Sequence, residues 1–392
     1  MNEFHPSKRI LLGPGPSDVD PRVLTAMSAP LLGHLDPEFL NVMDEIQASL
    51  RSIFQTQNKL TVPISGTGSA GMETAFVNLV EPGDSVVVCV NGVFGERMAD
   101  IVGRCRGKLT RVDAPWGNSL DPEQIREAVR KYHPVILAVV HAETSTGVLT
   151  PLPMLQEILR DSPETLFLVD CVTSLGGIPV GIDEHQVDIA FSGTQKCLSC
   201  PPGLAPVTLS PRAVDKLRQR KSKVQSWYLD LSLVEKYWGE DRTYHHTAPI
   251  SMNYALREAL RLVEEEGLEK RWIRHRLNHS ALVAGIEAMG LAMLVRPEAR
   301  LWSLNTIKIP DGISDSQVRS RLLREFGIEI GGGLGPLKGR IWRVGLMGNS
   351  STRNKVTLFL SVLEQILVDD GFRLTRGAAL EAAASVYKTA QS

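Results

Sequence analysis

The chain has 392 residues, 43 Lys and Arg against 44 Asp and Glu, a formal net charge of −1 and 43% hydrophobic residues. That balance gives no electrostatic case for nucleic acid or an anionic membrane as partner, and the size suits a large domain plus a smaller one. No apolar run approaches the roughly 18 residues of a membrane-spanning helix, and Ile10–Leu12 is too short for a secretory signal core.

The last residues, 389–392, are not of the Ser-Lys-Leu peroxisomal type. The five cysteines (89, 105, 171, 197 and 200) are an odd number without a leader, which points to reduced thiols and a cytoplasmic chain. Cys197 and Cys200 have C-x-x-C spacing. With no second ligand pair and no thioredoxin-like setting, they read as small-residue packing, and no metal site is expected.

Taken in order, residues 1–10 form a polar lead-in, and Gly13 to Ser17 is stiff and turn-rich. Leu40, Met43, Ile46, Leu50 and Phe54 are spaced 3, 3, 4 and 4, predicting a helix over 39–54. A strand over 60–65 leads into Gly66-x-Gly68-x-x-Gly71, and a helix follows with Met72, Ala75, Phe76, Leu79 and Val80 on one face. This matches a dinucleotide fingerprint, but the next strand, 85–90, ends at Asn91 rather than at an acid. Free N–H groups at Thr67, Gly68 and Ser69 and the helix dipole still suit an anion. A structural glycine turn is the other reading.

Residues 91–95 close that strand, and Phe94 by itself reads as core. Asp121 and Pro122 open a helix that runs to Tyr132 and stops at His133-Pro134. Val135–Val140 is a continuous apolar run suited to a strand covered on both faces. The loop from His141 to Gly147 is rich in hydroxyls, with His141 read as a core or supporting histidine. Strands are expected at 166–170, 187–191 and 204–209. The alternation over 60–210 predicts βαβ units, a mostly parallel sheet and an α/β fold.

Residues 212–223 are basic, the mark of a solvated helix face. Residues 226–254 are rich in aromatics and contain Tyr244-His245-His246-Thr247. Adjacent histidines without further ligands do not make a metal site. A helix over 251–266 ends at Gly267, a natural boundary. Helix 270–289, strand 304–309, helix 314–326, a short strand at 328–330, strand 340–346 and helix 353–368 then predict an α+β unit with an Ala-rich helical tail beyond 378. The expected division is an N-terminal arm (1–17), a large domain (18–266) and a small C-terminal domain (267–392).

Two residues carry the chemistry. Lys196 follows a buried strand, where low dielectric lowers an amine's pKa and leaves it nucleophilic toward aldehydes. Asp170 ends the neighbouring strand. Each has an ordinary alternative, a surface lysine and a turn-capping aspartate. Both, however, sit at carboxyl ends of strands, which line the ligand crevice of open α/β sheets. A lysine that bonds an aldehyde and an aspartate that keeps a pyridine nitrogen protonated are the pair that pyridoxal 5′-phosphate (PLP) requires.

Residues 169–177 (VDCVTSLGG) and 188–203 (DIAFSGTQKCLSCPPG) resemble the class V, fold-type I PLP aminotransferases, nearest the serine–glyoxylate and alanine–glyoxylate (serine–pyruvate) branch. The resemblance runs from Leu11–Ser17 to Trp342–Gly348. It implies a seven-stranded-type sheet between helices with a smaller C-terminal domain, and Lys196 and Asp170 as catalytic residues. It also implies that PLP is held by Thr67, Gly68, Ser69, Phe94, Thr144, Asp170, Val172, Gln195 and Lys196, with Glu143 in the adjoining wall. Phe94 stands where the family commonly stacks a tryptophan. Tyr244 and Thr247 are expected to reach the neighbouring subunit's PLP phosphate, which makes an obligate homodimer with composite sites.

Arg343, on a strand before Gly345, is expected to bind the substrate α-carboxylate with its planar fork. The implied activity is ping-pong transamination from serine or alanine to glyoxylate or pyruvate. Sibling chemistries keep the fold: a lyase, an aminophosphonate aminotransferase, a cysteine desulfurase, or a pyridoxamine–pyruvate aminotransferase. No Cys lies beyond 200 to serve a desulfurase, and the intact phosphate loop speaks against a free-vitamer enzyme. A nicotinamide-dependent oxidoreductase built on Gly66–Gly71, or a non-catalytic relic, would have little use for Lys196 and Asp170 together.

Overall fold

A computed structural model describes residues 1, 3 and 5–390; the ends of the expected tail helix and of the C-terminal tetrapeptide, 391–392, lie outside the described residues. Seven strands build the central sheet: β1 (Leu60–Ser65), β2 (Ser85–Val90), β3 (Lys108–Asp113), β4 (Ile136–Val140), β5 (Leu166–Asp170), β6 (Ile189–Phe191) and β7 (Leu204–Leu209). Their order is β1-β7-β6-β5-β4-β2-β3. Only β7 runs antiparallel to its neighbours. The four pairings among β6, β5, β4, β2 and β3 are parallel, and the edge strand β1 pairs with β7 alone. β4, β5 and β6 are buried along their whole length, as strands covered on both faces must be, and their apolar runs are continuous for that reason.

The register aligns the strand ends that matter. Val140 pairs with Asp170, Asp170 with Phe191, and Ser65 with Leu204. The carboxyl ends of β1, β2, β4, β5 and β6 therefore share one edge of the sheet. Strand β6 is shorter than the 187–191 expected, because the Val187 N–H turns back to the Ile182 carbonyl. The expected helix over 39–54 extends to Pro37–Phe54, with Asp36 accepting from the Glu38 N–H and proline in the first turn.

Four helices position the site: α1 (Gly68–Leu79), α2 (Val93–Arg104), α3 (Ile250–Glu266) and α4 (Leu268–Ala288). Residues 93–95, read from the sequence as a strand-closing loop, are instead the first turn of α2. Helices α3 and α4 meet at Gly267, whose φ of 80° suits a residue without a side chain. A second apolar core joins Leu12 to residues between Ala281 and Tyr387. It surrounds an antiparallel sheet of Leu304–Lys308, Ile341–Gly345 and Gly331–Gly332. The N-terminal Ile10–Leu11 pairs parallel with Ile328–Glu329 and so belongs to this core. The five cysteines are buried and unpaired, and Cys197 Sγ donates to the Thr173 carbonyl at 3.1 Å. Among the described residues no group of three His, Cys, Asp or Glu could hold a metal, and no helix is long and apolar enough to cross a membrane.

Candidate active site

The site grows from the shared strand edge. Asp170, at the end of β5, is 2% exposed, and its Oδ1 accepts from the Val172 N–H at 2.8 Å. Burial pushes its pKa up to about 7, partly offset by that hydrogen bond, and the charges of Glu143, Lys196 and Arg97 all reach it. Lys196 follows β6, the neighbouring strand. Burial, then the charge of Arg343, lowers its amine to about 8. Its Nζ donates to the Pro14 carbonyl. Gly15 adjoins at φ 109°, where any Cβ would run into the lysine side chain.

The backbone after Lys196 is held from three directions. Ser17 Oγ donates to the Lys196 carbonyl at 2.7 Å. Buried Arg271 of α4 donates to the Cys197 carbonyl at 2.6 Å and to the Gly176 carbonyl at 2.9 Å. Ser199 Oγ accepts from the Asn349 N–H at 2.8 Å. None of these three ties was apparent in the sequence, since each joins segments far apart in the chain.

Against Val172 and Gly193 stands the N-terminus of α1. Thr67 is its N-cap, makes no side-chain cap bond and is exposed with Ser69. The N–H groups of Thr67, Gly68 and Ser69 have no partner among the described residues. A Cβ on Gly68 would lie 3.0 Å from Val172 Cγ2, so this turn and Val172, two residues past the Asp170 strand, are in contact. Gln195 Oε1 is buried without a hydrogen-bond partner. Three free N–H groups at a helix start are what a phosphate would satisfy, and the NH₂ of the Gln195 side chain is the group of that amide able to donate to it.

Phe94 is half-buried in the first turn of α2, with the Arg97 guanidinium 4.9 Å from its ring centroid. Glu143 explains why a helix begins there. It is fully buried and accepts from the N–H groups of Phe94 (3.1 Å) and Gly95 (3.4 Å). It also accepts from the Ser145 N–H (3.0 Å) and hydroxyl (2.6 Å). Gly92 is required because a Cβ would strike the Glu143 carboxyl and the Ser145 hydroxyl. Burial raises the Glu143 pKa, and the four hydrogen bonds oppose the rise.

Thr144 is 2% exposed, and its carbonyl accepts from Arg343 Nη1 at 3.2 Å. Arg343 Nε donates to the Gly332 carbonyl at 2.7 Å. Two fixed carbonyls set the plane of the guanidinium, while Nη2 has no partner among the described residues. Burial lowers the Arg343 pKa to about 10, and the group stays charged at neutral pH. His141 is 4% exposed, and burial, with His185 nearby, pushes it down to about 3, so it is neutral.

The fold thus brings Thr67, Gly68, Ser69, Phe94, Thr144, Asp170, Val172, Gln195, Lys196 and Arg343 to one edge. Tyr244 and Thr247 are different. Both are exposed, and the Tyr244 ring packs 5.0 Å from His34. The segment joins the rest of the chain through His246, whose Nε2 lies 2.8 Å from Ser65 Oγ, a contact the sequence did not reveal. A cleft of about 800 Å³, lined by Glu81, Asp84 and Lys216 among others, lies by the Ser85 and Leu166 strand starts, away from this edge.

The family model for class-V aminotransferases matches residues 11–341. The (S)-ureidoglycine–glyoxylate transaminase of Bacillus subtilis (strain 168) is 42% identical over 97% of this chain and 96% of its own length. The crystal structure of alanine–glyoxylate aminotransferase from Nostoc sp. superposes with a TM-score of 0.92 at 50% identity, covering 94% of this chain and 97% of that one. Pyridoxamine–pyruvate aminotransferase from Mesorhizobium loti has a TM-score of 0.94 at 26% identity, covering 99% of each chain. With a lysine and an aspartate on adjacent strand ends, an anion-ready helix start beside them, and relatives of 42% and 50% identity along nearly the whole length, this chain belongs to the class-V aminotransferases.

Proposed function

We propose that the chain is a PLP-dependent aminotransferase that moves the amino group of a small amino acid, alanine or serine, to glyoxylate or pyruvate. The observation that carries this reading is the meeting of a half-buried amine with lowered pKa, a buried carboxyl and a carbonyl-braced arginine at one sheet edge. PLP, when bound, supplies an aldehyde and an electron-withdrawing ring that stabilises negative charge at the substrate's α carbon.

The chain's own groups do the rest. Near pH 7 a fraction of Lys196 is neutral and able to attack an aldehyde. With PLP and an amino donor bound, its Nζ would be the base that takes the α-proton, and a pKa near 8 suits that task. Asp170 holds the ring nitrogen's proton. Thr67, Gly68, Ser69 and Gln195 would hold the phosphate, Phe94 would cover the ring, and Val172 and Thr144 would complete the wall. Arg343 offers Nη2 and the outer N–H of Nη1 to the substrate carboxylate.

We further propose a cytoplasmic homodimer in which Tyr244 and Thr247 serve the partner's phosphate site. Supporting it are Leu31, Trp227 and Tyr244, which are 70%, 62% and 54% exposed although large and apolar. Five unpaired cysteines suit a reducing compartment.

The test is an assay of the purified holoenzyme with alanine, serine and ureidoglycine as donors against glyoxylate and pyruvate. Glycine formed from glyoxylate with alanine or serine is the expected result, and no transfer from any donor overturns the reading. Ureidoglycine is the second donor to consider, because the relative matched over 97% of the chain is named for it.

A further inference from the structure

His245 and His246 form a hydrogen-bonded titratable pair that this reading leaves without a task. Their hydrogen bonds form a chain. His245 Nε2 lies 3.2 Å from the Trp227 carbonyl, His245 Nδ1 lies 2.8 Å from His246 Nδ1, and His246 Nε2 lies 2.8 Å from Ser65 Oγ. A carbonyl only accepts, so His245 Nε2 carries a proton and, in the neutral ring, Nδ1 accepts. His246 Nδ1 must then donate and its Nε2 accept, which leaves the Ser65 hydroxyl as donor. Every direction in the chain is set by the Trp227 carbonyl.

Aromatic rings hold the pair in place. Trp227 lies 4.5 Å from His245 and Tyr228 lies 4.9 Å from His246, centroid to centroid. Burial, then His245, pushes His246 down to about 4, which keeps it neutral and the directions intact. One end of this chain is Ser65, the residue before the Gly66–Ser69 turn. The other end lies in the segment that carries Tyr244 and Thr247.

We propose that His245 and His246 are positioning residues that tie the 244–247 segment to the anion-binding turn of the same chain, so that the turn a chain keeps and the segment it lends share one anchor. This rests on the reading that Tyr244 and Thr247 serve the partner's site.

Hybrid dimers test it. In the first arrangement, His246→Leu is on the chain that keeps Lys196 and the partner carries Lys196→Ala. In the second, both substitutions share one chain. Each hybrid then has a single lysine-bearing site, which is counted by fixing PLP to it with borohydride as PLP concentration rises.

The midpoint should rise at least fivefold in both arrangements. His246→Gln, whose amide accepts from Ser65 and donates to His245, should stay within twofold of the unsubstituted hybrid. Ser65→Ala should raise the midpoint in the first arrangement and add nothing to His246→Leu there. An effect of His246→Leu confined to one arrangement, or a glutamine variant as weak as leucine, overturns the shared anchor. Tyr244→Phe separates the two readings. If it acts in the second arrangement the composite site stands and the histidines are judged alone, whereas no effect there removes the composite site and this inference with it.

Discussion

When the loop after β6 folds, the Lys196 ammonium loses much of its water and faces the charge of Arg343, so its pKa falls from 10.5 to about 8. In the PLP-free protein, reductive labelling of Lys196 by a small aldehyde should rise with pH and level off above about 8. A half-point near 10.5, that of a free lysine, would show the amine to be solvated. Asp170 has the opposite balance. Its pKa is raised from 3.8 to about 7, so the folded chain keeps a proton that the unfolded chain has lost. Stability contributed by this group is full below about pH 4 and is lost as pH rises through about 7. Asp170→Asn, which cannot ionise and can still accept from the Val172 N–H, should therefore melt higher than the parent PLP-free chain at pH 8, by roughly 2–10 °C. The gap should close toward pH 4, and a gap independent of pH would mean that the carboxyl is not the cause. The same variant should hold PLP poorly, since an amide cannot balance a protonated ring nitrogen.

Among elements, α2 shows how a site is assembled from segments distant in sequence. Its N-cap, Gly92, supplies no side chain, and the cap comes from Glu143, 49 residues beyond Phe94. A carboxylate accepting from two helix N–H groups also meets the positive end of the helix dipole. In Glu143→Gln one acceptor oxygen becomes an NH₂ that faces donors only. A loss of about 1–3 kcal/mol in urea unfolding is expected, together with weaker PLP binding through displacement of Phe94. Unchanged unfolding would show that the cap is dispensable. The lysine loop follows the same logic. Arg271, from a helix that begins just past Gly267, donates to the Cys197 carbonyl and to Glu266, so the loop, α3 and α4 share one guanidinium.

At the scale of the molecule, two large apolar cores organise the chain, and the proposed site lies between the sheet edge of the first and the strand of the second that carries Arg343. One chain by itself leaves Tyr244 and Thr247 in solvent. If a second copy receives them, chains carrying Lys196→Ala and chains carrying Tyr244→Ala, each nearly inactive, should recover activity when mixed during refolding. Random pairing makes half of the dimers hybrid, each with one intact site, so about a quarter of the parent activity is expected. No recovery in proven hybrids would place both residues in the same chain's site.

Much was determined by the sequence alone. The strands at 60–65, 85–90, 166–170 and 204–209 lie where their apolar runs put them, because a strand covered on both faces is apolar along most of its length, and a buried exception such as Thr61 needs a partner, here Thr208. The helix at 122–132 begins and ends where Asp121, Pro122 and His133 say, because caps act within a few residues. Lys196 and Asp170 were legible because their chemistry is rare at strand ends. What only the tertiary structure decided is every feature whose partner is remote. The helix that starts at Val93 depends on Glu143. The aim of Arg343 depends on the Gly332 and Thr144 carbonyls. The two-histidine link depends on Ser65 and Trp227. A hydrogen bond between residues far apart in the chain leaves no local pattern, since neither residue type nor spacing encodes its partner until the sheet brings the two together.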